Sequence, residues 1–555
     1  MTGQLDPITL EVVRNKLDGI ANEMQSTLLR SSFSPIVKEG QDASASLFTM
    51  EGETLSQALA VPIHLATLIP VVEVLLAEFP LEEAKEGDIY ILNDPYLGGT
   101  HLPDIALVMP VFHDGEPFAL SAAMTHHQDV GGMTPGSVPT HATEIYQEGV
   151  RIPPLKLRDG KVMNDTFLKM MRLNVRMADS FEGDLNAQIA ACTVGARRLK
   201  ELVTAQGRDT LYAIFAELLD RSERLTRARL SEIPDGTYRY TEQLDNDGVD
   251  MEKPVRIQVA VTIDGDDFHC DFAGSSDQVK GPFNCVPSGT AAATCFALRA
   301  VTDPDIPTNG GCFRPLQLIL PERSIVNPRE PAPVNARTAT IKRIASCVLG
   351  ALKEVVPDKV PADSGNELLI LMLGGQRDNG ANYVVGDIVA SGSGASHRSD
   401  GVDMIETDAT NCMNLPVEAL EMDIPVRVNR FGLRPGSGGA GKHRGGLGCI
   451  REYEVLRGDV TVTYRGERHA APAAGSQGGE PGAVAAAEVR RADGRTETVP
   501  SKHVFTLSPG DRLTIETAGG GGYGDPAERN PVQIDSDKRN GKVTAAPGAG
   551  IPGRP

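Results

Sequence analysis

Two short segments of the chain concentrate side chains that could bind a metal ion. They are NDPYLGGTHLPD (residues 93–104) and MTHHQDVGG (residues 124–132), and they hold three of the eleven histidines. His101 and Asp104 are close enough in sequence for both side chains to face one point from a loop or a helical turn. With His126 they offer two imidazoles and one carboxylate. Such a set, with coordination positions left open, is common for catalytic Zn²⁺, Mn²⁺ or Fe²⁺.

Neighbouring residues extend this candidate site. Asp42, in KEGQDAS, could supply a fourth oxygen ligand. His127 and Asp129 are candidate catalytic residues, because a carboxylate here could orient an imidazole or accept a proton from an attacking water. A structural alternative stays open. Asp129 could cap a turn, His101 could bond to a backbone carbonyl, and His126 could be a hydrogen-bonded core histidine.

The two segments flank one predicted β-hairpin. IALVMPVF (105–112) and PFALSAAMTHH (117–127) have the apolar character of buried strands, and HDGE between them is a turn. The first segment leads into the first strand, and the second segment leaves the second strand. Because these two ends of a hairpin lie close together, the hairpin would bring both segments to one site.

Helices and strands come in runs along the chain. A helix begins at Pro7, residues 167–233 are strongly helical, and short alternating strands dominate after Pro234. We therefore predict a mixed α+β fold rather than a doubly wound sheet, with a helix-rich N-terminal metal-binding region packed against a β-rich C-terminal half. The expected parts are the metal region (1–233), a mixed strand and helix region (234–386), a glycine-rich β region (387–529) and a loose tail (530–555).

Composition excludes several classes of function. The net charge of −20 and the pI near 5.1 argue against binding to nucleic acid or to an anionic membrane surface. No apolar run approaches the roughly 20 residues that span a bilayer, and the N-terminus does not resemble a secretory signal. The eight cysteines form no CxxC pair, which predicts buried free thiols in a reducing cytoplasm.

Two glycine-rich segments do not have the features of nucleotide sites. GSGGAGKH (436–443) fits GxxxxGK, but His443 stands where a phosphate loop needs Ser or Thr for Mg²⁺. GGGGYGDP (519–526) lacks the GxGxxG spacing of a dinucleotide site. We interpret the first segment as a turn-rich loop between strands, and we expect the chain alone not to hydrolyse ATP.

Motifs along nearly the whole chain resemble those of the hydantoinase B/oxoprolinase family. They are SSFSPIVKEGQDASASLF, NDPYLGGTHLPD, THHQDVGG, PSGTAAA, PTNGGCFRP, SGGAGKHRGGLG and GGGGYGDPAERNP. Two departures stand out. Lys442 and His443 occupy positions where the family often has Arg and an aromatic residue, and the tail KVTAAPGAGIPGRP matches no family segment.

The resemblance implies one half of an ATP-dependent enzyme. In this family an actin-like, ATP-binding A subunit, which binds ATP and Mg²⁺, phosphorylates the substrate, often within a heterotetramer. The B-type chain carries the metal site, whose ligands map onto His101, Asp104 and His126, with Asp42 as a fourth. The implied function is hydrolysis of a cyclic amide (a hydantoin, 5-oxoproline or a lactam). The alternatives are ATP-dependent ketone carboxylation and a non-catalytic scaffold for the ATPase subunit.

Overall fold

The computed structural model describes residues 5–64, 66–367 and 369–543. The helices within these ranges are α1 (Pro7–Ser31), α2 (Pro35–Lys38), α3 (Leu68–Glu78), α4 (Asp165–Asn174), α5 (Ala178–Gln206), α6 (Arg208–Leu230), α7 (Pro287–Val301), α8 (Arg337–Leu352), α9 (Val417–Asp423) and α10 (Pro531–Arg539). Asp6 caps α1 by accepting hydrogen bonds from Ile8 N and Thr9 N. Among the described residues, no helix has the length and apolarity needed to cross a bilayer.

The strands form four sheets. They are β1 (Ala43–Phe48), β2 (Thr54–Gln57), β3 (Ile89–Leu92), β4 (Asp104–His113), β5 (Glu116–His126), β6 (Leu155–Asp159), β7 (Val162–Met163), β8 (Gly236–Leu244), β9 (Val255–Asp264), β10 (Asp267–Asp271), β11 (Leu316–Ile319), β12 (Leu369–Gln376), β13 (Asn382–Val389), β14 (Val426–Leu433), β15 (Cys449–Val455), β16 (Val460–Arg465), β17 (Ala486–Arg490), β18 (Thr496–Thr498), β19 (Lys502–Leu507) and β20 (Arg512–Glu516). The mixed α+β class is confirmed.

The first sheet is antiparallel, in the order β2-β1-β5-β4-β3-β6-β7. Its centre is the predicted hairpin of β4 and β5, which turns at Asp114 and Gly115, both with positive φ. Helices cover both faces. Ile105 and Leu107 belong to the core that includes α1 and α5, whereas Ala106 and Val108 pack in the core with α3. Burial on both faces explains why β4 is continuously apolar.

The second sheet, β11-β10-β9-β8, packs beneath α7 and α8. The remaining two sheets, β13-β12-β16-β19 and β14-β15-β20-β17-β18, share one apolar core. That core includes Leu371 and Val462 from the first of them and Tyr453 and Leu513 from the second. The boundary predicted between residues 386 and 387 falls inside β13. The eight cysteines are free and buried, as predicted.

The two glycine-rich segments pack against each other. Gly439 N donates to Gly520 O at 2.9 Å, and His443 N donates to Tyr523 O at 3.0 Å. A Cβ on Gly439 would lie 2.7 Å from Gly522 N, so glycine permits this close approach of the two segments. The segment 436–443 is thus a loop held by backbone bonds, in agreement with the interpretation as a turn-rich loop.

The start of the tail is ordered, contrary to the loose tail expected from residue 530. Asn530 caps α10 by accepting from Val532 N, and Arg529 lies 2.8 Å from Asp400 and 2.6 Å from Asp537. Lys542 Nζ lies 2.6 Å from Asp403. These ion pairs fix a helix that a polar, glycine- and proline-rich composition does not reveal. Residues 544–555 of the predicted tail lie outside the described residues.

Candidate metal centre

Sheet pairing brings three of the predicted ligands into one row. Asp104 and His126 are direct partners across β4 and β5. On the other side of β5, His126 N donates to Asp42 O at 3.1 Å, just before β1 begins. Residues opposite each other in neighbouring strands project from the same face. The ends of β1, β5 and β4 therefore present Asp42, His126 and Asp104 side by side.

His101 joins this row from the turn that precedes β4. Asp104 N donates to His101 O at 3.0 Å, which closes the turn. His101 Nε2 lies 3.1 Å from Asp104 Oδ1, and the rings of His101 and His126 are 5.1 Å apart between centroids. Ligand atoms of His101, Asp104 and His126 all lie within 4.8 Å of one another. The three side chains thus converge as the hairpin argument predicted.

The protonation state of His101 makes this cluster suitable for a cation. Burial and the charge of Arg337 lower the pKa of His101, so its imidazole is neutral near pH 7. His101 Nδ1 donates to Asn335 O at 3.1 Å, which leaves a lone pair on Nε2 directed toward a carboxylate oxygen. A metal-bound histidine usually donates its other ring N–H to such a carbonyl. His101 Nε2, Asp104 Oδ1 and His126 Nδ1 are buried without a hydrogen-bond partner in the described structure. The donor set therefore fits a divalent ion.

The second oxygen of Asp104 is held by a hydroxyl and a guanidinium. Thr100 Oγ1 and Arg337 Nη2 both donate to Asp104 Oδ2. Burial alone would raise the pKa of Asp104, but its charged surroundings, which include the guanidinium of Arg337, outweigh burial and hold the pKa well below its ordinary value. Asp104 is therefore an anion with one oxygen free to bind a metal.

Asp42 and His64 complete the polar side of the site. His64 Nε2 lies 3.7 Å from Asp42 Oδ1 and 3.8 Å from Asp104 Oδ2. Burial and the charge of Asp104 raise the pKa of Asp42 to about 7, and burial lowers the pKa of His64 to about 4. Asp42 is thus placed beside the cluster, as expected for a fourth oxygen ligand, and His64 is an additional neutral imidazole.

The cluster opens into a small cavity of about 30 Å³ between the first sheet and the sheet of β12, β13, β16 and β19. The metal-side lining includes Asp42, His64, His101 and His126. The sheet of β12, β13 and β16 forms an opposite wall from Ile370, Met372, Gly386, Ile388 and Arg465. Gln128 also lines the cavity, and both its amide oxygen and nitrogen are buried without a partner among the described residues. The cavity is therefore mainly apolar, with a few polar groups available to a ligand.

His127 and Asp129 are not among the residues that line this cavity. His127 Nε2 lies 3.0 Å from Gln188 Oε1 in α5, with its ring 4.9 Å from that of Phe181. Asp129 accepts from Gly131 N and Gly136 N, each at 3.0 Å, and from the backbone and side chain of Arg176. These contacts occupy both carboxylate oxygens. They favour the turn-stabilising alternative for Asp129 and a packing role for His127 over the catalytic roles inferred from sequence.

Sequence reasoning did not identify His64, Gln128, Arg337 and Arg465. Gln128 lies inside the quoted motif, but a glutamine there has no distinctive spacing. Arg337 and Asp104 are 233 positions apart in the chain. The position of Arg337 at the start of the predicted helix that contains ATIKRIASCVLGAL could have indicated its role. A cation at the N-terminus of a helix is unfavourable unless an anionic partner lies nearby.

Comparison with known proteins identifies the family. The model for hydantoinase B/oxoprolinase matches residues 6–526. The chain belongs to the hydantoinase B/oxoprolinase family. This match confirms the resemblance inferred from the sequence motifs. The matched residues extend from the start of α1 to the short turn that precedes α10.

Two relatives with named activities align along most of this family member. Caprolactamase subunit beta of Pseudomonas jessenii is 35% identical over 554 residues, which cover 97% of this chain and 94% of the relative. A 5-oxoprolinase of Dictyostelium discoideum is 32% identical over 535 residues, which cover 94% of this chain but 41% of the relative. This family member therefore corresponds to less than half of the second protein.

Two solved structures share the fold. The ATP-dependent caprolactamase from Pseudomonas jessenii superposes with a TM-score of 0.90 at 33% identity, covering 98% of this chain and 95% of that chain. The nucleotide-free structure of acetone carboxylase superposes with a TM-score of 0.91 at 20% identity, covering 97% and 78%. The second likeness concerns the fold alone.

Replacing either candidate histidine ligand should remove the metal. We expect His101→Ala and His126→Ala to lose about one equivalent of Zn²⁺ or Mn²⁺ per chain after reconstitution and dialysis, measured by elemental analysis. His127→Ala is the matched control, because the adjacent His127 bonds to Gln188. It should keep its metal while unfolding at a lower temperature. Stoichiometric metal in His101→Ala would contradict the ligand assignment.

Asp129→Asn should affect stability rather than chemistry. An asparagine amide nitrogen in place of Asp129 Oδ2 would face two donors, Gly136 N and Arg176 Nη1. We expect the free energy of unfolding in urea to fall by about 1–3 kcal/mol, the range for unsatisfied buried polar groups. Metal content and turnover per folded molecule should stay near wild type. Loss of turnover at unchanged stability would instead support a catalytic carboxylate.

Proposed function

We propose that this chain is the metal-binding B-type subunit of an ATP-dependent cyclic-amide hydrolase, which opens a hydantoin, 5-oxoproline or lactam ring. The observation that carries the proposal is the convergence of His101, Asp104 and His126 on a mainly apolar buried cavity. Likeness to a caprolactamase subunit along nearly the whole chain supports it. The proposed ligands are these three residues with Asp42 as the fourth.

The chemistry requires activation of a poor electrophile. In the proposal, a partner subunit transfers the γ-phosphoryl group of ATP to the amide oxygen, which releases ADP and makes the ring carbon electrophilic. Water then adds to that carbon, the ring C–N bond breaks with the nitrogen leaving as an amine, and a second water hydrolyses the resulting acyl phosphate to a carboxylate and phosphate. A divalent ion would provide Lewis-acid activation of the attacking water. Residues of this chain fix the charge and the orientation of the proposed metal ligands. Arg337 keeps Asp104 ionised, and Asn335 O orients the imidazole of His101. The apolar side chains of Ile370, Met372 and Ile388 line the side of the cavity that the ring would contact.

Gln128 favours a cyclic amide over a ketone as the substrate. Its side-chain amide offers a donor nitrogen and an acceptor oxygen beside the cavity, and both atoms are unpartnered in the described structure. A small ring forces its amide into the cis form, so the ring N–H and C=O lie on the same side. A glutamine amide can pair with both groups at once while the substrate is unphosphorylated, before its oxygen is esterified and its N–H proton is lost. A ketone has no N–H donor, so it would leave the glutamine oxygen unpaired at a cost.

The proposed partner is an actin-like, ATP-binding A subunit that also holds Mg²⁺, assembled with this chain as a heterotetramer. Relatives support a partner, because a caprolactamase relative is named as subunit beta. The glycine segment 436–443 is occupied by backbone contacts with 519–524, which agrees with a nucleotide site on another chain. Eight free buried cysteines fit a cytoplasmic location.

The assembled pair should open a cyclic amide only with ATP and metal. We would co-purify the chain with a candidate actin-like ATPase subunit from the same organism, and follow ring opening and ADP release across lactams, hydantoins and 5-oxoproline. His101→Ala should abolish ring opening while ATP binding by the partner persists. The isolated chain with ATP is the control and should release no ADP. Unchanged turnover in His101→Ala would indicate a scaffold, and bicarbonate-dependent consumption of a ketone would indicate the carboxylase.

Gln128→Leu should impair recognition of the amide. We expect kcat/KM for ring opening to fall about 10- to 100-fold, because two hydrogen bonds to the substrate are lost at about 1 kcal/mol each or more. Metal content should not change. Met372→Leu alters the same cavity without removing a hydrogen bond, and it should stay within about threefold of wild type. Wild-type kcat/KM in Gln128→Leu would refute the amide contact.

A further inference from the structure

Arg465 is a buried cation in the apolar wall of the cavity. Arg465 is the last residue of β16, and 3% of its surface is exposed. It pairs with Ile370 of the neighbouring strand β12, and Ile370 pairs on its other side with Ile388 of β13. The three residues form one row across the sheet, and all of them line the cavity. The guanidinium therefore enters the cavity from the side opposite the ends of β1, β4 and β5.

The charge of Arg465 lacks a carboxylate partner within 4.0 Å in the part of the chain that the structure describes. Its hydrogen bond is to a backbone carbonyl, Asn335 O, at 3.3 Å. Two other buried arginines of the C-terminal β-rich part have carboxylate partners. Arg451 lies 3.0 Å from Asp387, and Arg444 lies 3.3 Å from Asp403. A buried charge without a counter-ion is strongly destabilising. An unpaired buried cation of this kind is expected at a binding site for an anionic ligand.

Glu148 does not form an ion pair with this charge. Its two oxygens accept hydrogen bonds from Val334 N and Asn335 N at 3.0 and 2.9 Å, and neither oxygen lies within 4.0 Å of the guanidinium of Arg465. Burial and the charge of Arg337 lower the pKa of Arg465 to about 9, which leaves the guanidinium charged near pH 7.

One carbonyl oxygen locates Arg465 beside the metal cluster. Asn335 O accepts from Arg465 Nη1 at 3.3 Å and from His101 Nδ1 at 3.1 Å. The guanidinium and the imidazole are thus neighbours around the same atom. An anion on the remaining N–H groups of Arg465 would lie next to the reacting part of the cavity.

We propose that Arg465 anchors an oxyanion-binding subsite, which takes a carboxylate or a phosphoryl group of the ligand next to the metal cluster. A guanidinium offers a planar fork of donors that matches both groups. The source of the oxyanion rests on the proposed function. It is either the carboxylate of a substrate such as 5-oxoproline or the phosphoryl group of the activated amide.

The first experiment measures binding of inorganic phosphate to the full-length chain after chelation of its metal, by ³¹P NMR titration. Arg465→Met should weaken binding about 10- to 100-fold, as expected for loss of charge-assisted hydrogen bonds. Arg465→Lys should be intermediate, because lysine keeps the charge without the fork. Arg495→Met removes a positive charge from a side chain that is 72% exposed, and it should bind like wild type. Equal affinity in wild type and Arg465→Met, or no binding to wild type, would overturn the proposal.

Thermal unfolding supplies a second readout on the same metal-free proteins. Phosphate should raise the Tm of wild type and leave that of Arg465→Met unchanged. In phosphate-free buffer Arg465→Met should be at least as stable as wild type, because an unpaired buried charge is removed. A much less stable Arg465→Met would show that Arg465 has a structural partner, and would count against the subsite.

Turnover by the assembled enzyme distinguishes the two sources. The matched substrates are 5-oxoproline and 2-pyrrolidinone, which is the same ring without the carboxylate. If Arg465→Lys lowers kcat/KM for 5-oxoproline alone, the substrate carboxylate is bound; if it lowers kcat/KM for both, the phosphoryl group is bound. Unchanged values for both would overturn the proposal. Absence of ring opening by any assembly would refute the proposed function and leave the phosphate result standing.

Discussion

The ion pair between Asp104 and Arg337 is the interaction on which the rest of the site depends. It ties the first residue of β4 to the first residue of α8, and Thr100 donates to the same carboxylate oxygen. Because this oxygen is occupied, the other one is fixed toward His101. Loss of either partner would leave a buried charge uncompensated, which is strongly destabilising. The strand ends, the loop before β4 and α8 are therefore held in one arrangement by a single carboxylate.

The cavity exists only where the two halves of the chain meet. The first sheet supplies the polar side from the ends of β1, β4 and β5, and β12, β13 and β16 supply the apolar wall. Close approach depends on Gly374 of β12, because a Cβ there would lie 2.4 Å from Cβ of the rigid Pro135 ring in the loop after β5. Packing of the halves thus sets the distance between the metal cluster and the wall that would hold a substrate ring. The site is a property of the interface, not of either half.

Local sequence patterns were enough to predict the hairpin and the convergence of His101, Asp104 and His126, because strand pairing brings the two flanking segments together. They could not reveal Arg337 or Arg465, which reach the site from elements 233 or more positions beyond Asp104. Nor could they decide the role of Asp129, because Arg176, which lies 47 positions away, occupies its carboxylate. The order of α10 was missed for the same reason, since its ion pairs with Asp400 and Asp403 depend on tertiary packing.

Unpaired polar atoms at the cluster differ in kind from the unpaired nitrogens of the buried Arg451. Arg451 Nε also lacks a hydrogen bond, but another nitrogen of its guanidinium lies 3.0 Å from Asp387, so its charge is compensated. His101 Nε2 and Asp104 Oδ1 instead present two lone pairs to each other across 3.1 Å. Repulsion between two acceptors would separate them unless their outer atoms were fixed, and Asn335, Thr100 and Arg337 fix them. The fold therefore stabilises an arrangement that is unfavourable by itself and becomes favourable with a cation between the two atoms.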